Sequence, residues 1–246
     1  MVFSSPLVLI LLLAVMVGSL VLAQIIQARQ DSDVIRLYRL AALDRRSAAL
    51  IKVIRGLKAL DDNQEVVKVL MGPLKNDLAR IQRLDPARGN GEQELRSLTA
   101  EAGKSEKAAE KPEGQSKTDK RTSLSSDREV FQARALITDA LSLIRHLYQI
   151  RQVTGDQLES TARHLGMLSA LVGVNSNIHM ADMAMAHGDL RKASAHFRAA
   201  ESFLFSGPLK GAGGAEKLKY IESRREQISR AERQRSANDD YADRAA

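Results

Sequence analysis

The chain has 246 residues, with 37 Lys and Arg against 30 Asp and Glu, a net charge of +7 and a pI near 9.7. It contains no cysteine and no tryptophan, and aromatics make up 4%. This excludes disulfides, thiolate metal sites and cysteine nucleophiles, and it disfavours a β-sandwich or barrel built on aromatic residues. The basic balance permits anionic lipid, an acidic protein or nucleic acid as partner and chooses none of them.

Residues 7–26 read LVLILLLAVMVGSLVLAQII, with no ionisable side chain. As a helix, such a run rises about 30 Å, the thickness of a bilayer's hydrocarbon core, so it is read as a single transmembrane helix. Val21 and Ala23 would suit a signal peptidase cutting before Gln24, but residues 1–5 carry no Lys or Arg and the apolar run is too long for a signal core. Arg29, Arg36, Arg39, Arg45 and Arg46 follow the segment. The positive-inside rule then places the N-terminus outside and the rest of the chain in the cytoplasm. Small residues at Ala14, Gly18, Ser19 and Ala23 have the spacing of close-packing membrane helices, which admits a homo-oligomer.

Leu37, Leu40, Leu43, Leu50, Ile54 and Leu57 recur at helical steps, as do Val67, Leu70, Leu74, Leu78 and Ile81. The spacing predicts a juxtamembrane helical hairpin over 28–84, its second helix interrupted at Gly72-Pro73 and opened by a capping box of Asp62 with Glu65. Ser47 and Asp61 at core positions argue against a sustained coiled coil. Residues 85–125 are rich in Gly, Ser, Lys and Glu and poor in large apolar side chains, the composition of a disordered charged linker. Gly103-Lys104-Ser105 resembles the end of a phosphate-binding loop, but Leu98 stands where the loop's first glycine is needed.

A helical domain is expected over 126–206. Ser126 with Glu129 caps a helix to about Gln152, Gly155 ends it, and Asp156 with Glu159 caps the next. Gly173 marks a stop or bend. Gly188-Asp189 then makes a turn followed by Ala193, Phe197 and Ala200. This stretch, 174–206, resembles one tetratricopeptide (TPR) hairpin, in which small residues let two helices approach and an aromatic fills the gap. Ala181 and Ala184 stand where that family usually has glycine and an aromatic, and Asn177 where it has the first-helix tryptophan. The resemblance implies hairpin packing by Gly188, Ala193, Phe197 and Ala200, a peptide-binding role, and support from the helices of 127–172. A basic helix over 215–235 offers Lys217, Lys219, Arg224, Arg225, Arg230 and Arg233 to an anionic partner, although Glu216–Lys219, Glu222–Arg225, Glu226–Arg230 and Glu232–Arg235 are spaced to pair within it. Residues 236–246 are expected to fray as a tail.

His179 and Asp182 lie one turn apart without a second ligand pair, and Met167, Met180, Met183 and Met185 are read as core rather than groove. No nucleophile elbow, dinucleotide-binding glycine pattern or carboxylate constellation occurs, so no catalytic, cofactor or metal residue is assigned. The expected protein is all-α and non-enzymatic, a scaffold or adaptor that holds a protein partner at a bacterial-type inner or plasma membrane from the cytoplasmic side. The alternatives are a periplasmic or envelope-assembly factor of the same fold, and a basic-helix binder of anionic lipid or nucleic acid. No aromatic stacking platform accompanies the basic charges, which disfavours single-stranded nucleic acid.

Overall fold

The computed structural model describes residues 6–61, 64–86, 93, 96–98, 117–206, 208–209 and 212–245, apart from the side chains of 6–12, 14, 28, 117–118, 120, 206, 212–213 and 237–245. Seven helices are described: α1 Pro6–Leu60, α2 Glu65–Leu84, α3 Lys117–Thr122, α4 Asp127–Gln149, α5 Gly155–Ala186, α6 Leu190–Ser206 and α7 Ala212–Ala245. The fold is all-α, with no strand among the described residues.

α1 is one uninterrupted helix of 55 residues. Nothing between Leu7 and Leu60 breaks it, because Gly18 and Gly56 are its only glycines and its only proline is at the first position. Its two halves differ in environment. From Leu13 to Ile26 the large apolar side chains are about half exposed or more, whereas Leu50, Ile54 and Leu57 are buried. Among the described residues no helix is long and apolar enough to cross a membrane, so the span expected at 7–26 is not shown. The side chains of 6–12 and Ala14 stand outside that description.

α1 and α2 pack as the spacing of their apolar residues dictates, with Val66, Val67, Leu70, Leu74 and Ile81 buried. Leu37, expected in the α1 stripe, is instead 64% exposed, because the body first covers α1 at Leu40. Asp77 is wholly buried on α2 and accepts both Nε and Nη2 of Arg46, which fixes the register of the two helices. α2 is one helix across Pro73, not interrupted there. Asp62 lies outside the described residues, and the N-cap is Gln64, whose side chain makes no capping bond.

The hairpin packs directly on the later helices. Leu50, Ile54 and Leu57 share a core with Ile137, Ile144 and Leu147 of α4 and Leu165, Leu168 and Val172 of α5. Gly56 permits the close crossing of α1 and α4, since a Cβ there would lie 2.3 Å from Leu136 Cδ2. Most of 85–125 falls outside the described residues, but the disorder expected there does not extend to its end. α3 is helical, Thr122 is buried, and Leu98 is buried in the same core.

α5 is a single helix of 32 residues. Gly155 begins it rather than ending its predecessor, and Thr154 with Gln157, not Asp156 with Glu159, forms the capping box. Gly173 does not end the helix. It is buried against Phe203 of α6, whose ring carbons would lie 2.9–3.0 Å from an added Cβ. Beyond it, Val174, Ala181 and Ala184 enter a second core with Ala193, Phe197, Ala200 and Leu204 of α6 and Ile221 and Ile228 of α7. α5 therefore serves both cores. α7 continues to Ala245 where a tail was expected, because no glycine or proline follows Gly214 and Ala, Arg, Glu and Gln are good helix formers.

Candidate functional site

At the α5–α6 turn the chain must reverse direction within three residues, His187 to Asp189. Gly188 adopts φ +76, a left-handed conformation open to glycine at little cost. Its N–H donates to Met185 O at 2.9 Å and the Asp189 N–H to Ala184 O at 2.9 Å, the paired bonds of a Schellman end. Asp189 Oδ1 accepts from Lys192 N at 3.0 Å and so caps α6. Phe197, Ala193 and Ala200 are all 0% exposed, lying in one core with Ala181 and Ala184. Ile221 and Ile228 of α7 share this core, and Arg134 of α4 lies 5.0 Å from the ring of Phe203, which packs against it. No family model matches the chain, and no curated protein or solved structure matches it.

Asn175 and Ser176, buried between the two cores, were not singled out by sequence pattern. Asn175, Ser176 and Asn177 form a polar band on α5. Asn175 Nδ2 donates to Thr122 Oγ1 at 2.7 Å and to Asp119 Oδ1 at 2.9 Å. Ser176 Oγ donates to Thr122 O at 2.9 Å and accepts from Leu124 N at 3.0 Å. Asn177 Nδ2 donates to Gly173 O at 2.7 Å, and its Oδ1 faces His196 Nδ1 at 3.2 Å. α3 is thus strapped across the junction by bonds whose sequence partners lie more than fifty positions apart.

Three basic residues of α7 are engaged by carboxylates of other helices. Lys217 meets Asp119 at 2.9 Å, Arg224 meets Asp182 at 3.4 Å and Arg225 meets Glu201 at 2.8 Å. Of the intrahelical pairs expected from spacing, Glu226–Arg230 forms at 3.3 Å, whereas Arg235 reaches Gly188 O. Lys219 and Arg233 are exposed and take no partner among the described residues. The six basic positions therefore do not form one open cationic face. Tyr220 donates to Asp182 Oδ2 at 2.8 Å and receives Arg224 Nε at 3.0 Å. Burial chiefly pushes its hydroxyl pKa up.

His179 is exposed, and its neighbour Asp182 is committed to Tyr220 and Arg224. Among the described residues no cluster of three metal-ligating side chains occurs. The methionines divide: Met180 is buried and Met185 packs on the second core, while Met167 and Met183 are about 40% exposed. His164 Nε2 lies 2.5 Å from Asp61 Oδ2, a contact between α5 and the end of α1 that neither residue's local sequence announces.

A groove of about 540 Å³ runs between α1 and α4. Gly56, Leu60, Leu124, Ala133 and Leu136 make its apolar floor, with Lys52 on one wall and Phe131 and Asp139 on the other. Phe131 is 74% exposed.

Proposed function

We propose that this chain is a membrane-anchored helical scaffold, with residues 7–26 spanning the bilayer and the packed helices holding a protein partner close to it. The observation that carries the reading is the continuity of α1. One helix bears an uncovered apolar stretch at its start and the core residues Leu50, Ile54 and Leu57 at its end. Large apolar side chains exposed over a contiguous surface are stable in lipid or against a partner, and rarely in water. The 20-residue run of sequence 7–26 has the length and polarity of a span when residues 7–12 are counted.

A helix without a break transmits position. Residues 27–39 would hold the body about 20 Å from the apolar segment. The arginines after Ile26 favour a cytoplasmic body.

Alkaline carbonate washing of membranes tests the anchor. The full chain should stay with the membrane fraction, and a chain lacking residues 1–26 should be released. Release of the full chain would contradict the reading. A C-terminal reporter fused to the full chain should fluoresce as a cytoplasmic protein and show no periplasmic phosphatase activity. The reverse pattern would place the body outside.

A further inference from the structure

We infer that the groove between α1 and α4 takes an amphipathic helix of a partner protein, one that carries a basic residue along one edge of its apolar face and an acidic residue along the other. The floor is lined by Gly56, Leu60, Leu124, Ala133 and Leu136, and Phe131 stands exposed at its rim. The lining residues run from Lys52 to Leu60 on α1 and from Glu129 to Asp139 on α4. That is about two to three helical turns, the length over which a docked helix sets its i, i+3 or i+4, and i+7 anchors.

Charge selects the occupant. Lys52 and Asp139 are both exposed, line opposite walls, and take no hydrogen bond or ion pair among the described residues. Arg46–Asp77, Lys217–Asp119 and Arg225–Glu201 pair across helices, whereas these two charges do not. Glu129 at the groove's end is also committed. Its carboxylate accepts Ser125 N at 3.0 Å and Ser125 Oγ at 3.1 Å, bonds that hold its pKa below the ordinary value. One cation on α1 and one anion on α4 therefore line the groove with no described partner. A purely basic or purely acidic ligand would meet a like charge on one wall, a repulsion that sets specificity more than affinity.

This occupant gives the scaffold reading its partner class, but its test does not depend on the anchor. The full chain, in a mild uncharged detergent that keeps it in solution with or without an anchor, carries Gln132→Cys labelled with an environment-sensitive fluorophore, the sole cysteine of a chain that has none. The probes are three designed helical peptides with one shared leucine face and edges of Lys and Glu, Lys and Lys, or Glu and Glu.

The mixed peptide should bind tightest, by about threefold to tenfold, the range of two partly exposed ion pairs. Lys52→Asp should shift the preference to the Lys–Lys peptide and Asp139→Lys to the Glu–Glu peptide. Ala135→Arg, at an exposed position in the lining, should abolish binding of all three. An order of preference unmoved by the charge variants would overturn the inference, as would equal binding to the Ala135→Arg chain. So would self-association of the unlabelled chain that Ala135→Arg abolishes, which would give the groove to a second copy.

Discussion

Asp61, at the end of α1, accepts a 2.5 Å hydrogen bond from His164 of α5, and the two side chains are only 7% and 24% exposed. The bond joins the α1–α2 hairpin to the helix that serves both cores. Asp61 raises the His164 pKa above its ordinary value through this bond, partly opposed by burial, with a further contribution from its charge and that of Glu65.

A raised histidine pKa fixes the sign of the pH dependence. The folded state favours the proton, so the stabilisation is complete below the ordinary histidine pKa and is lost as pH rises through the raised value. His164→Gln should therefore cost most near about pH 5.5, on the order of 1 kcal/mol, and least near about pH 8.5. Thermal melts of the two chains across this range check it. A cost that grows with pH would contradict it.

Phe197 is 0% exposed in the second core, and truncation there should cost roughly 3–5 kcal/mol. Phe197→Ala should lower the melting temperature by many degrees. Tyr148→Ala, at 47% exposure, should cost much less. Denaturant unfolding of the full chain measures both.

Two glycines of α5 should respond oppositely to alanine. A Cβ on Gly166 meets nothing within 4 Å, so Gly166→Ala should stabilise by up to ~1 kcal/mol through helix propensity. A Cβ on Gly173 would lie 2.9–3.0 Å from the Phe203 ring, which Arg134 covers at 5.0 Å. Gly173→Ala should be net destabilising, because a stiff ring under a guanidinium has little room to give. Equal effects at the two sites in chemical denaturation would refute the close approach.

Arg151 occupies φ 58, with its N–H bonded to Tyr148 O and the Gln152 N–H to Leu147 O. It holds the position that glycine usually takes at a helix end. Arg151→Gly should stabilise by about 1 kcal/mol, since an L side chain pays for that conformation. A loss in melting temperature would show that the arginine side chain contributes more than its backbone costs.

What was legible in the sequence depended on how far apart the determining residues lie. The all-α class follows from local spacing, such as Val67, Leu70, Leu74 and Ile81, which a single helix face explains. The length of α5 did not follow, because Gly173 read alone is a breaker, while its reason, Phe203, is on another helix. The α7 charges were legible in part for the same cause: Glu226–Arg230 forms as spaced, while Arg225, spaced to pair with Glu222, finds Glu201, and Lys217 finds Asp119 far along the chain. α3 was hidden in a polar composition because its burial rests on Asn175 and Ser176, far along the chain. Lys52 and Asp139 have no individual signature and become informative only when a groove places them on facing walls.

The central claim is that one unbroken helix is lipid-embedded at its start and body-embedded at its end. A depth profile tests it most directly, with single spin-labelled cysteines along residues 13–40 of the cysteine-free chain in nanodiscs. Accessibility to oxygen should peak near Met16 and Val17, fall by Arg29, and give way to the helical period of a packed surface from Leu40 onward. Labels at Met16 and Val17 that instead meet a water-soluble relaxer as freely as one at Arg29 would contradict the account.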